Sequence, residues 1–421
     1  MNEELSTNQT IRTGADASRS LRSEDTSSTL GSECSLAVCL SHLRWNFVYQ
    51  RPQHLMSRLA AQIPVVYFEE PIPTEEAPWL ELRNPMPGLT VAVPRLAAHE
   101  CSGGNAAGAA RQRSMLDALL ADRGAARPLL WYYTPMALDY SDHLDASLVI
   151  YDCMDELSGF RFAPATLLER EKQLLEMSDV VFTGGRSLYE AKRRRHANVH
   201  AFPSGVDIEH FARARSAPAE PSDQEGIARP RIGYYGVIDE RLDYRLIAEA
   251  AALRPQYQWI FVGPLAKVGE ADLPRAPNLH YLGQKTYDQL PDYLAGWDVA
   301  MMPFALNEAT TYISPTKTPE YLAGGRAVIS TAVADVVRTY GDCGLVSIAP
   351  DAESFVAAAD SWITRPWTQQ DFADLADRML ASKSWDGVFG GMRDQIVDAL
   401  RVANSRHLSR VEAADSVDTA A

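Results

Sequence analysis

The stretch Tyr312-Ile-Ser-Pro-Thr-Lys-Thr-Pro-Glu-Tyr-Leu-Ala-Gly-Gly325 decides how the rest of this chain is read. Ser314 is a good N-cap, and Pro315 suits the first helical position, where a missing N–H costs nothing. Gly324 and Gly325 supply the stop. A helix starting this way puts Lys317 at its third position, where a capping box takes Glu or Gln and a cation opposes the helix dipole by roughly 0.3–1 kcal/mol. Lys317 and Glu320 then share one face. A phosphate at the helix start resolves the misplaced charge, because backbone N–H groups and the ammonium would both point at it. A solvated helix with an uninvolved lysine is the plain alternative.

Around this helix, short apolar runs alternate with helical stretches. Ile232–Val237, Trp259–Val262, His280–Leu282 and Val299–Phe304 precede it as strands, with a helix over Tyr244–Leu253 and the amphipathic stretch Tyr287–Ala295 between them. Ala327–Ser330 and Leu345–Ile348 follow, then helices over about 351–364, 369–382 and Trp385–Val402. The first half repeats the pattern. Its strands are Leu36–Leu40, Val65–Phe68, Leu89–Val93, Leu129–Tyr133, Leu148–Tyr151 and Val180–Thr183, with helices from Arg51-Pro52 to about Gln62 and near 116, 172 and 190. Ala97–Ala110, rich in Ala and Gly, reads as a mobile surface loop. Strand–helix alternation predicts α/β architecture with parallel sheets covered on both faces. A Pro- and acid-rich break over 207–229 divides two such units. The expected organisation is a disordered tail over 1–33, a Rossmann-like domain over 34–205, a second over 206–383, a helix over 384–403 and a loose tail over 404–421. Ligands in such folds sit in the cleft between the carboxyl ends of the strands.

The composition narrows the function. With 421 residues and 46% hydrophobic content the chain can build two cores, and no run of about 18 apolar residues appears that could span a membrane. A net charge of −15 argues against nucleic acid as a partner. Cys34, Cys39, Cys101, Cys153 and Cys343 form no CxxC, which disfavours zinc and disulfide frameworks and fits a cytoplasmic location. The first 33 residues hold no apolar core of a signal peptide. No G-x-G-x-x-G follows the strand at 36–40 or that at 232–237, so a Rossmann dehydrogenase is disfavoured, and neither G-x-S-x-G nor H-E-x-x-H occurs.

Several landmarks coincide with a known family. Ser204-Gly-Val-Asp-Ile-Glu-His-Phe211 resembles the G-V-D-x-x-x-F signature of retaining glycosyltransferases with the GT-B fold, of the family 4 (group 1) type. Tyr281-Leu-Gly-Gln284 with Leu290-Pro-Asp-Tyr-Leu-Ala295 is similar to their Y-L-G and L-P-x-Y-L-A segment. Pro303, Ser314-Pro-Thr-Lys317, Glu320-Tyr-Leu-Ala-Gly-Gly325 and Ala327-Val-Ile-Ser-Thr331 resemble their donor-site helix and next strand. Gln50-Arg-Pro-Gln-His54 resembles a bacterial branch that builds surface polysaccharides. The resemblance implies that Glu320 binds the ribose hydroxyls of a nucleotide-diphosphate sugar. It also implies that Lys317, with Ser314, Pro315 and Thr316 at the helix start, holds the diphosphate. Arg241, in the loop after Gly236, would be the second cation, and the backbone around Gln284 and Lys285 would meet the base. The last helix would cross back onto the first domain. One position departs from the pattern: Tyr312 stands where the family's E-x7-E has its first Glu, and Glu308 is out of register.

The chemistry implied is retaining transfer of a hexosyl group to a saccharide or lipid-linked acceptor, with Asp155, Lys317 and Arg241 as the catalytic candidates and no metal or cofactor. Asp152 and Asp155, at the end of the strand Leu148–Tyr151, are placed to face the cleft and bind acceptor or donor sugar, although Asp155 as a turn or helix cap is the alternative. His42, Arg44 and Trp45, in the first strand–helix loop, are further cleft candidates, with ordinary loop packing as the alternative. Arg186, Lys192, Arg193, Arg194, Arg195 and His196 form the basic cluster. It reads either as cations favoured at a helix C-terminus or as a peripheral contact with the inner membrane face. A GT-B epimerase and a non-catalytic GT-B scaffold are the competing readings.

Overall fold

The computed structural model of the protein describes residues 30–216, 218–365 and 368–418; the parts of the two expected tails at 1–29 and 419–421 lie outside them. The strands β1 (Ala37–Ser41) and β2 (Val65–Glu69) are buried along their whole length. Continuous apolar runs of this kind belong to parallel strands covered on both faces. They centre a sheet completed by β3 (Ile72–Pro73), β4 (Trp79–Met86), β5 (Leu89–Leu96), β6 (Leu129–Tyr132), β7 (Leu148–Cys153), β8 (Val180–Thr183) and β9 (Val199–Ala201). The order is β3-β5-β2-β1-β6-β7-β8-β9, with β4 paired to β5. Ala37 lies opposite Val65 on one side and Leu129 on the other.

β4 is the departure from the expected parallel sheet: it runs antiparallel to β5, Trp79 opposite Arg95. The connection explains it. Only Pro87 and Gly88 separate the two strands, Gly88 has φ +77°, and so tight a link can join only antiparallel neighbours. The strand escapes a periodicity reading because it is a half-exposed edge containing Pro85. The loop expected over Ala97–Ala110 is also shorter than that. A helix starts at Ala106, because Asn105 caps it by accepting a hydrogen bond from the Gly108 N–H.

The second sheet is parallel throughout, in the order β12-β11-β10-β13-β14-β15. Its strands are β10 (Arg231–Tyr235), β11 (Gln258–Val262), β12 (Leu279–Tyr281), β13 (Val299–Met302), β14 (Val328–Ser330) and β15 (Val346–Ile348). The last helix, Trp385–Asp418, returns to the first sheet. Trp385, Phe389, Met392, Ile396 and Leu400 recur at helical spacing and are buried with Leu55, Met56 and Leu59 of the helix Arg51–Ala60. Each such side chain contributes about 1.5–3 kcal/mol of burial. The helix continues past residue 404, where a loose tail was expected; the stretch 404–418 contains neither Gly nor Pro to stop it. Among the described residues no helix is long and apolar enough to cross a membrane.

Several contacts close the halves on each other. Asp335 of the second unit accepts from the N–H groups of Arg186 (2.8 Å) and Ser187 (3.1 Å) and from the Ser187 hydroxyl (2.6 Å), capping a helix of the first. The turn Leu157–Gly159 packs on Glu308–Thr310, and Gln284 Nε2 donates to the Phe47 carbonyl at 2.6 Å. Between them lies the cleft.

Candidate functional site

The helix that opened the sequence reading spans Lys317–Ala323 and starts later than expected. Ser314 is not its N-cap, and Lys317 is its first residue rather than its third. Pro319 is the reason. A helix beginning at Pro315 would need a Pro319 N–H for its second intrahelical bond, whereas one beginning at Lys317 places Pro319 in the first turn, where that N–H is unused. With seven residues the helix presents a short dipole, so the side-chain cations carry most of the positive potential.

Lys317 lies across Gly236, whose φ of +144° suits glycine and whose position leaves no room for a Cβ against the Lys317 side chain. Among the described residues Lys317 has no ion-pair partner within 4.0 Å. Burial lowers its pKa, with Glu320 opposing and Arg241 adding to the shift. Arg241 is held by Asp239, Nη2 to Oδ2 at 2.7 Å and Nε to Oδ1 at 2.9 Å. The carboxyl of Glu320 is pushed up to about 7 by burial, against the pull of Lys317. Gly236, Arg241, Thr316, Lys317, Glu320, Gln284, Lys285 and Trp45 all line one cavity of about 540 Å³. That size suits a compact organic ligand. Lys285 is tied to Asp223 at 2.6 Å, so its ammonium is already neutralised.

Asp155 follows β7 and is not among the residues that line this cavity. Burial pushes its carboxyl up to about 6, and Arg241 opposes the shift. Lys317, Arg241 and the raised carboxyl of Glu320 thus share one cavity, an arrangement typical of sites that handle charge. His42, in the first strand–helix loop, has its pKa lowered to about 4 by burial and by Lys267, which reaches over from the second unit. It is a neutral imidazole at physiological pH.

Other candidates are placed elsewhere. Asp152 does not face the cleft: its carboxylate is fully buried and grips Arg51 at 2.8–3.1 Å through three hydrogen bonds. A buried guanidinium forces this, since an unpaired charge there would be costly. Arg44 turns back to Glu69, 3.1 Å away, and to the Pro71 carbonyl. Ser314 and Pro315 line a separate cavity beside Asp335 and Phe202. Tyr312 packs against the core of the first unit.

The basic cluster is not a free patch. Lys192 is buried between Glu156 (2.7 Å) and Glu171, Arg195 pairs with Glu171, Arg186 and Arg193 with Glu190, and His196 lies between the Ser178 and Asn198 carbonyls. Glu156 and Glu171 lie well before the cluster in sequence, so the burial of Lys192 between them is set by packing, whereas Glu190 sits on the cluster's own helix and Arg194 stays exposed.

Sequence reasoning missed Asp239, which orients Arg241, and Tyr287, Phe47 and Tyr49, which line the cavity. Asp239 was open to discovery, being two residues before a cation already singled out. The aromatics carried no local signal.

Residues 229–365 match the family model described as glycosyl transferases group 1. The chain is 28% identical over 236 residues to TuaH of Bacillus subtilis (strain 168), named as a teichuronic acid biosynthesis glycosyltransferase; the match covers 52% of this chain and 59% of that relative's length. A sucrose-phosphate synthase from Thermosynechococcus elongatus superposes with a TM-score of 0.67 at 17% identity, over 88% of this chain and all of that one. Anabaena Alr3699/HepE in complex with UDP and glucose gives 0.61 at 14% identity, over 86% and 99%. A trehalose-6-phosphate structure from E. coli bound with UDP-2-fluoro glucose gives 0.62 at 14%, over 87% and 99%. The chain therefore has the GT-B fold, two Rossmann-like α/β units about a cleft, and its residues 229–365 carry a glycosyl transferases group 1 domain.

Proposed function

We propose that the protein is a retaining, metal-independent glycosyltransferase that moves a sugar from a nucleotide-diphosphate sugar to a saccharide or lipid-linked acceptor in surface-polysaccharide synthesis. The observation that carries this reading is Lys317: an ammonium without an ion-pair partner among the described residues, in a cavity it shares with Arg241 and Glu320. A lone cation in a cleft is costly until an anion arrives. A diphosphate between Lys317 and Arg241 supplies that anion, and Glu320 accepts from the ribose hydroxyls next to it. When the bond from the sugar C1 to the phosphate oxygen breaks, the electron pair leaves on the diphosphate, where the two cations stabilise it. The acceptor hydroxyl attacks C1 on the face the diphosphate vacates and passes its proton to a leaving phosphate oxygen. Asp155, whose carboxyl feels the field of both cations, orients the sugar at that point. Asp152, one of the two carboxylates of Asp152-x-x-Asp155, is already spent on Arg51 and is not open to a metal. UDP sugars are the first donors to try, since the HepE and E. coli structures hold UDP and a UDP sugar.

The test is a calorimetric screen of UDP-, GDP-, dTDP- and ADP-sugars with and without EDTA. One donor is expected to bind in both conditions and, at about 100-fold saturation, to stabilise the native state by roughly 2.7 kcal/mol. Silence across the panel at millimolar ligand removes the reading and leaves a scaffold.

The pH dependence of that binding follows from Glu320. The native state takes up a proton that the unfolded chain loses between 4.5 and about 7, so this group makes stability fall as pH rises through that window. Ligand binding runs the other way, because only the carboxylate accepts two hydroxyl donors. Donor affinity is expected to rise severalfold as pH increases through about 7, and Glu320→Gln is expected to bind weakly with a flat profile. A profile unchanged in Glu320→Gln would assign the titration to another group.

A further inference from the structure

The segment between β7 and the helix Leu167–Met177 does not stay with its own domain. Its turn Leu157–Gly159 packs on Glu308–Thr310, so closely that a Cβ on Gly159 would stand 3.1 Å from the Glu308 carbonyl oxygen. One residue on, the half-buried ring of Phe160 meets two cations of the second unit. Lys267 Nζ lies 4.6 Å and Arg241 Cζ 5.8 Å from its centroid. The Arg161 N–H donates to Glu240 at 3.2 Å, and the same Glu240 oxygen pairs with Lys267 at 3.4 Å. Among the described residues, the two non-glycine residues with positive φ lie in or beside this contact: Phe162 at +66° and Lys267 at +60°. Bulky side chains avoid that region, and such strain persists only where the surroundings over-determine it.

The ring completes the hold on Arg241. Asp239 engages Nε and Nη2 along one edge, and Phe160 stands against the guanidinium. Nη1 has no partner among the described residues, and Arg241 lines the donor cavity. An aliphatic side chain could fill the same space without holding the cation, because the attraction comes from the negative face of the π-system. Resting on the reading of this cavity as a diphosphate site, we infer that Phe160 is a positioning residue. Contributed by the first domain, it fixes Arg241 of the second toward the diphosphate. A cation held in place before the anion arrives needs no reorganisation when it binds. The anion site is therefore complete only with the two domains closed.

The experiment measures binding of inorganic pyrophosphate by calorimetry to the wild type, Phe160→Leu, Phe160→Tyr, Arg241→Ala and the double variant of Phe160→Leu with Arg241→Ala. UDP, GDP, dTDP and ADP are run alongside on the wild type, and Phe160→Met replaces Phe160→Leu should that variant fail to fold. Phe160→Leu is expected to weaken pyrophosphate binding about three- to tenfold, and Phe160→Tyr, which keeps the ring, to stay within about twofold. In the Arg241→Ala background, Phe160→Leu is expected to cost nothing further, because the group it positions is gone. An equal loss in both backgrounds would make Phe160 a packing residue and overturn the inference. So would full affinity in Phe160→Leu, or a Phe160→Tyr variant as weak as it. Wild-type protein that binds pyrophosphate with this pattern but no nucleoside diphosphate would remove the nucleotide-sugar reading and keep Phe160 as part of an anion site. Wild type that binds neither overturns both.

Discussion

Lys317→Ala is expected to lower turnover about 10²–10³-fold, the scale for removing one pre-placed donor from a site where negative charge develops. The cation has no ion-pair partner among the described residues to leave stranded, so the fold is expected to survive and the melting temperature to stay within a few degrees. Arg241 cannot take over, because Asp239 already engages its Nε and Nη2. Lys317→Arg is expected to rescue little. The Lys317 stem lies over Gly236 with no space for even a Cβ between them, and a planar guanidinium needs more room than an ammonium. Donor affinity should fall less than turnover, since charge on the diphosphate grows as the C1–O bond breaks. Steady-state kinetics with the donor found in the ligand screen would check this. Turnover within about threefold of wild type would mean that the anion lies elsewhere.

The second large effect is on stability. Asp152→Ala leaves the guanidinium of Arg51 buried without its counter-charge, and breaking such a pair costs about 3–5 kcal/mol. The pair sits at a junction: Arg51 also donates to the Phe202 carbonyl at 2.7 Å and touches Met392 of the returning helix. Loosening it is expected to lower the first transition in a thermal melt by on the order of 10 °C. Asp152→Asn should cost nearly as much, because it keeps the shape and loses the charge. A melt unmoved within 2 °C or so, combined with lost donor binding, would return Asp152 to the cleft as a sugar-binding group.

Secondary structure was the legible part. Buried parallel strands such as Val180–Thr183 are contiguous apolar runs, and the helix Tyr244–Leu253 shows its periodicity without reference to anything distant. The edge strand Trp79–Met86 was not legible, since half its residues meet water and its partner decides its direction. The start of the Lys317 helix was readable in principle, but only by letting Pro319 outweigh the good cap at Ser314.

What the sequence determined by itself is thus the α/β alternation and the placing of Lys317 and Glu320 on one short helix, because those depend on residues a few positions apart. Which charges are available for chemistry was decided by the tertiary structure alone. Asp152 and Asp155 look alike in the chain, yet one is buried against Arg51, 101 residues away, and the other carries a carboxyl that burial pushes up to about 6. Lys192 reads as surface charge until Glu156 and Glu171 close around it. Phe47 becomes a wall of the cavity only where Gln284, 237 residues on, reaches its carbonyl. The cause is common to all three. Desolvation and ion pairing act through space over a few ångströms, and local sequence does not record which distant groups the fold brings within that range.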